Sequence, residues 1–216
     1  MQDMLKKANK VQKQIKESRS QNKKFKISKN LRILAIDDSP PISTSGRQQS
    51  LLIGVIYRDG KIEGVLSTKV DWDGEDSTEK IIQMIKSSRF ANQIQIILIN
   101  SITVAGLNII DIKNLHEEFS IPVVAITRHK PSIADLQEAV RKLKEHSADL
   151  KERKIGNIKK AGEPVEIKFK PRLFSQFAGI DRYQLIEFIN EFGIEPLRLA
   201  HIISSGVVSG ESKGRF

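Results

Sequence analysis

The apolar positions of this chain come in short runs separated by turn-forming residues, and the first run is the most informative. Ile33-Leu34-Ala35-Ile36 is continuous and ends abruptly in Asp37-Asp38-Ser39-Pro40-Pro41. A run of that length reads as a strand buried on both faces. Leu51–Tyr57 and Ile62–Val70 are strand-like and flank Arg58-Asp59-Gly60-Lys61, whose Asp-Gly pair suits the positive φ angles of a hairpin turn. Asp76 or Ser77 caps a helix with Ile81, Ile82 and Ile85 on its inner face, and Ile94–Asn100 is a fourth strand. A short helix over 112–118 leads to strand five, 122–127. Ser132 then caps a helix with the stripe Ile133, Leu136, Val140, Leu143, running on toward Arg153. Residues 151–162 read as a basic, glycine-containing connector and 165–169 as a short strand. Asp181 caps a helix closed by Gly193, and Pro196 opens the last helix, 197–204.

The order is β-β-β-α-β-α-β-α, followed by additions. Three antiparallel strands followed by two parallel ones through right-handed crossovers give a mixed five-stranded α/β sheet flanked by helices, the ribonuclease H-like architecture. In its simplest form strand four lies parallel to strand one, which sets Asn100 beside Asp37. Acids at the carboxyl end of a buried strand sit where open α/β sheets hold ligands. Alternation sends Asp37 and Asp38 to opposite faces, so at most one of them serves that site; Asp38 reads as a turn residue.

Composition narrows the chemistry. No run approaches 18 apolar residues, so no membrane span is expected, and the N-terminus lacks a secretory pattern. The absence of cysteine excludes disulfides, thiolate metal sites and cysteine nucleophiles, and points to the cytoplasm. The charge of +10 is uneven: residues 1–29 carry ten Lys/Arg against Asp3 and Glu17, leaving +2 for 30–216. The chain therefore divides into a basic arm, 1–29, and a nearly neutral body, 30–216. Met4, Leu5, Ala8, Val11 and Ile15 give the arm a narrow apolar stripe, with Lys6, Lys10 and Lys13 on its other faces. Such an arm either contacts nucleic-acid phosphates, DNA or RNA, or docks on a protein partner, or is a solvated tail. Lys213 and Arg215, among the glycines and serines of 209–215, add a second anion-binding candidate.

Among single residues, Asn108 and Asp111 lie in the loop after strand four, where Asp111 either reaches toward Asp37 or caps the following helix. Asp71-Trp72-Asp73-Gly74-Glu75-Asp76 fails calcium-loop spacing and reads as a turn and a helix cap. His116, His129, His146 and His201 show no metal spacing, and His201 reads as a structural histidine.

Three segments carry a more specific likeness: Ala35-Ile36-Asp37-Asp38, Thr103-Val104-Ala105-Gly106-Leu107-Asn108-Ile109-Ile110-Asp111, and Arg198-Leu199-Ala200-His201-Ile202-Ile203-Ser204-Ser205-Gly206, with Ser209–Arg215 closing the set. With these the chain resembles the archaeal domain-of-unknown-function 99 family, related to endonuclease V, over roughly 30–216. The resemblance implies a metal-dependent endonuclease in which two or three carboxylates hold Mg²⁺ or Mn²⁺. Asp37 matches the acid at the end of the first strand. The second acid's place is taken by Asn100, followed by Ser101. The third follows the hairpin, with Asp71, Asp73, Glu75 and Asp76 as candidates. The expected site is Asp37, Asn100 and Asp111, with Asp37 and Asp73 as metal ligands. A non-catalytic DNA-, RNA- or protein-binding factor on the same fold is the alternative.

Overall fold

The computed structural model describes residues 25–44, 47–144 and 146–212. Among the described residues the ten strands are β1 Ile33–Asp38, β2 Ile42–Thr44, β3 Arg47–Arg58, β4 Lys61–Asp71, β5 Ile96–Ile99, β6 Thr103–Val104, β7 Asn108–Ile109, β8 Val123–Thr127, β9 Val165–Ile167 and β10 Leu173–Ala178. The helices are α1 Ser77–Lys86, α2 Ile112–Phe119, α3 Ile133–Arg141, α4 Ala148–Ala161, α5 Arg182–Phe192 and α6 Glu195–Ser209.

The expected five-stranded core is present in the order β4-β3-β1-β5-β8. β3 is antiparallel to β1 and β4, and β5 is parallel to β1 and β8. β10 and β9 extend it antiparallel beyond β8, and β2 pairs with β3 past the end of β1. Asp59 and Gly60 take φ of 48° and 76°, the conformation that closes the β3–β4 hairpin.

Alternation on the central strands divides the core in two. Leu34, Ile36, Ile97, Ile99, Val123 and Ala125 pack with residues of α1 to α4 on one face. Ile33, Ala35, Ile96, Leu98, Val124 and Ile126 pack with α5 and α6 on the other. Strands buried on both faces need unbroken apolar runs, which is why β1, β5 and β8 stand out in the sequence. Three helices begin as expected: Asp111, Ser132 and Asp181 each accept backbone N–H bonds, Asp181 within a capping box with Gln184.

Two expectations need correction. The helix after Ser132 stops at Arg141 rather than running toward Arg153, and 151–162 is not a connector: Ser147 caps a separate helix, α4, reaching Ala161. β10 and the small β6–β7 hairpin carry no strand pattern that the sequence reading found. In β10 the buried Ser175 and Gln176 interrupt the apolar pattern, their side chains donating to Ala125 O and Gly162 O. From the stretch read as the basic arm, Phe25 and Ile27 pack against the α5–α6 face, and Gln184 Nε2 donates to Phe25 O. Lys6, Lys10, Lys13, Lys213 and Arg215, with the helix expected in the arm, lie outside the described residues. No helix among the described residues is long and apolar enough to cross a membrane.

Candidate functional site

Asp37 lies at the carboxyl end of β1 and is 1% exposed. Parallel pairing with β5 sets Asn100 next to it, and Asn100 Nδ2 donates to Asp37 Oδ1 at 3.0 Å. The other carboxylate oxygen, Oδ2, is 2.8 Å from His201 Nδ1. A carboxylate only accepts, so Nδ1 carries the proton. α6 sets this contact: Leu197, Ala200 and Ser204 are buried on its inner side, and His201 comes over the end of β1. The Asp37 hydrogen bond raises the His201 pKa above its ordinary value, helped by the charges of Asp37 and Asp38. Burial and the Arg128 charge oppose that rise.

Asn100 stands beside Asp37 as the strand order predicts, and His201, which reads in sequence as a structural histidine, completes the contact. The available signal was the motif Arg198–Gly206, which contains it; no local spacing ties it to Asp37. Asp37 and Asp38 do face apart. Asp38 Oδ2 accepts from Ala105 N at 2.8 Å, on the α1–α4 side. Burial pushes the Asp38 carboxyl up to about 6; the Ala105 N–H opposes the shift and the Asp37 charge adds to it.

Asp73 and Asp111 belong to that second side. Asp73 Oδ1 accepts from Leu107 N at 2.6 Å, and its backbone N–H donates to Ala105 O at 2.8 Å. Gly106, at φ 75°, passes so close that a Cβ there would come 2.3 Å from Asp73 Oδ1. Beneath this junction the buried Lys154 donates to Asp73 O, Gly74 O and Leu107 O at 2.6 to 2.7 Å. Burial brings its pKa down to about 8, the charges of Asp73, Glu75 and Asp76 resisting. Asp111 Oδ1 accepts from Lys113 N and Asn114 N, and its Oδ2 from Lys160 Nζ at 2.7 Å. These bonds hold Asp73 and Asp111 to their own loops and to α4, while Asp37 engages α6.

Among the described residues, no group of three or more His, Asp or Glu side chains is arranged to hold a metal ion. The donors around Asp37 are one carboxylate, one amide and one imidazole, and both carboxylate oxygens already accept hydrogen bonds. That set does not fit the multi-carboxylate Mg²⁺ or Mn²⁺ centre implied by the resemblance.

The family model for Endonuclease dU matches residues 29–208. The chain belongs to the Endonuclease dU family. Similar proteins come from archaea: a UPF0215 protein of Methanothermobacter thermautotrophicus is 38% identical over 194 residues, covering 87% of this chain and 93% of that protein. One from Thermococcus kodakarensis is 38% identical over 197 residues, covering 87% and 97%. Among solved structures, a protein of unknown function from Archaeoglobus fulgidus superposes with a TM-score of 0.71 at 31% identity, covering 82% of this chain and 98% of that one. Endonuclease V of Ciona intestinalis, bound to a 24mer DNA containing an inosine followed by a ribo-adenosine, gives 0.54 at 13% identity, covering 97% and 99%. At that identity the likeness shows the fold alone. The archaeal, endonuclease V-like resemblance read from the sequence is borne out. This Endonuclease dU family member has the fold of endonuclease V, and the Asp37–His201 pair lies at the end of its first strand.

Proposed function

We propose that this protein is an endonuclease that hydrolyses the backbone of DNA beside a deaminated nucleoside, deoxyuridine being the one its family name points to. The observation that carries the reading is the buried Asp37 carboxylate clasped between His201 Nδ1 and Asn100 Nδ2 at the carboxyl end of β1. Open α/β sheets take ligands at such strand ends. Membership of the family and a fold shared with a DNA-bound endonuclease V support the substrate class.

Phosphodiester hydrolysis removes one proton from water and delivers one to the leaving oxygen. The Asp37–His201 pair holds a proton on Nδ1, and the raised His201 pKa favours the imidazolium more than in a free histidine. In this reading the His201 imidazolium supplies positive charge at the strand end where the phosphate would lie, Asp37 orients the ring and stabilises its charge, and Asn100 fixes the carboxylate.

The substitution of an amide for the expected second acid favours one other reading, a non-catalytic nucleic-acid- or protein-binding factor on the same fold. Incubating the full chain and Asp37→Ala with duplexes containing deoxyuridine, deoxyinosine or neither, in Mg²⁺, Mn²⁺ or EDTA, separates the two. Strand scission by wild type and its loss in Asp37→Ala supports the nuclease. Tight binding without scission under every condition supports the accessory factor.

A further inference from the structure

The cations of the folded body gather at one rim of the sheet. β8 runs parallel to β1 and β5, so Arg128 and Lys130 leave the sheet at the end where Asp37 and Asn100 lie. β10 runs the other way, and Phe174 pairs with Thr127 while Leu173 pairs with Ile167 of β9. The β9–β10 turn, 168–172, therefore opens on the same rim, carrying Lys168, Lys170 and Arg172. All five cations are exposed. Phe169 packs into the α5–α6 face and anchors the turn, and Glu166 holds the Arg172 guanidinium at 3.2 Å. The Arg128 charge is near enough to His201 to act on its titration. Since residues 30–216 carry only +2 in all, five cations on one rim are a local concentration rather than a share of general basicity.

We propose that this rim is the track of the nucleic-acid backbone, which runs from Asp37 across Arg128 and Lys130 to Lys168, Lys170 and Arg172. The inference deepens the nuclease reading and rests on it. Three strand spacings separate β1 from β10, about 14 Å. That span is long enough to take in consecutive phosphates of one strand. Lysine and arginine on loops at this spacing match a repeating anion and carry no base information, so the track positions the strand and leaves base choice to other contacts. It also places phosphate binding on the folded body, independent of residues 1–29.

The test is binding of a fluorescein-labelled, deoxyuridine-containing duplex, followed by anisotropy from 50 to 300 mM salt. Three forms of the full chain are compared: wild type, Lys168→Gln/Lys170→Gln/Arg172→Gln, and a control with the same charge change elsewhere, Lys61→Gln/Lys69→Gln/Lys142→Gln. Thermal melting confirms that all three are folded. The rim variant is expected to bind at least about tenfold more weakly, with a salt slope reduced by about 2 to 3, and the control to match wild type. Equal slopes for the rim variant and wild type overturn the track, and so does an equal loss in the control. Scission of the same duplex is followed in parallel. A rim variant that binds like wild type while wild type cuts removes the track and leaves the nuclease standing. A wild type that neither binds nor cuts any duplex removes both.

Discussion

His201 Nδ1 lies 2.8 Å from Asp37 Oδ2, across a sequence separation of 164 residues. A bond from an imidazole N–H to a buried carboxylate favours the protonated imidazole. Asp37 ends the buried run of β1 and His201 stands on α6, so both partners are held by regular elements. The protonation of His201 is directly measurable.

In a histidine-resolved NMR titration, His201 is expected to titrate above the ordinary value of about 6.5. In Asp37→Asn it should move down, because the hydrogen bond and charge that raise it are lost while burial persists. The sign for stability follows. A raised folded-state pKa gives stability that is fully present below about 6.5 and is lost as pH rises through the folded value. The advantage of wild type over His201→Gln should shrink across that window in urea denaturation. An advantage that grows with pH contradicts the assignment.

Asp38 also makes the fold less stable as pH rises, here through a burial penalty on its charged form. Its carboxyl is raised from 3.8 to about 6, so burial imposes no penalty below 3.8, and the penalty is complete above 6. Asp38→Asn keeps an oxygen to accept the Ala105 N–H and removes the charge. Urea denaturation is expected to show it more stable than wild type at pH 7.5, by about 1 to 2 kcal/mol, and equal to it at pH 3.5.

Lys154 shows why part of the chain was opaque in sequence. A lysine on the buried side of α4 breaks the apolar stripe, and the helix read as a basic connector. Its three ammonium hydrogens satisfy the carbonyls of Asp73, Gly74 and Leu107, a pairing visible only once the 71–76 and 103–109 segments are folded together. The same holds for Ser175 and Gln176 in β10, which are polar where a strand pattern wants apolar residues and are satisfied by distant carbonyls. Where burial alone sets the pattern, as in Ile33–Ile36 and Ile96–Ile99, the strand and its neighbour were legible. So was the Asp37–Asn100 contact, which follows from parallel pairing. His201 reaches Asp37 through helix packing, which leaves no local trace.

Lys154→Met tests the clamp. The methionine fills most of the space but leaves three carbonyls without their donor, and unsatisfied buried acceptors cost about 1 to 3 kcal/mol each before relaxation. A loss of about 3 kcal/mol or more is expected in urea denaturation at pH 7. The loss should be larger at pH 9: a folded pKa near 8 lies below the ordinary lysine value, so wild type gains stability as pH rises above 8 while the methionine variant does not. A loss that does not change between pH 7 and 9 assigns the effect to packing rather than to the ammonium.

Asn100→Asp addresses the missing acid. It replaces the Nδ2 donor with a second carboxylate in hydrogen-bond reach of Asp37 Oδ1. Two carboxylates that close cannot both ionise freely, so one takes up a proton near neutral pH or the pair captures a cation. The variant is expected to melt below wild type in EDTA at pH 7.5, and to recover that loss in millimolar Mn²⁺, which should leave wild type unmoved. Calorimetric titration should show Mn²⁺ heat in Asn100→Asp that disappears when Asp37→Ala is added. If Mn²⁺ raises the melting temperature of wild type as much as that of the variant, the amide is no barrier to metal, and the donor set around Asp37 is more open than its two hydrogen bonds imply.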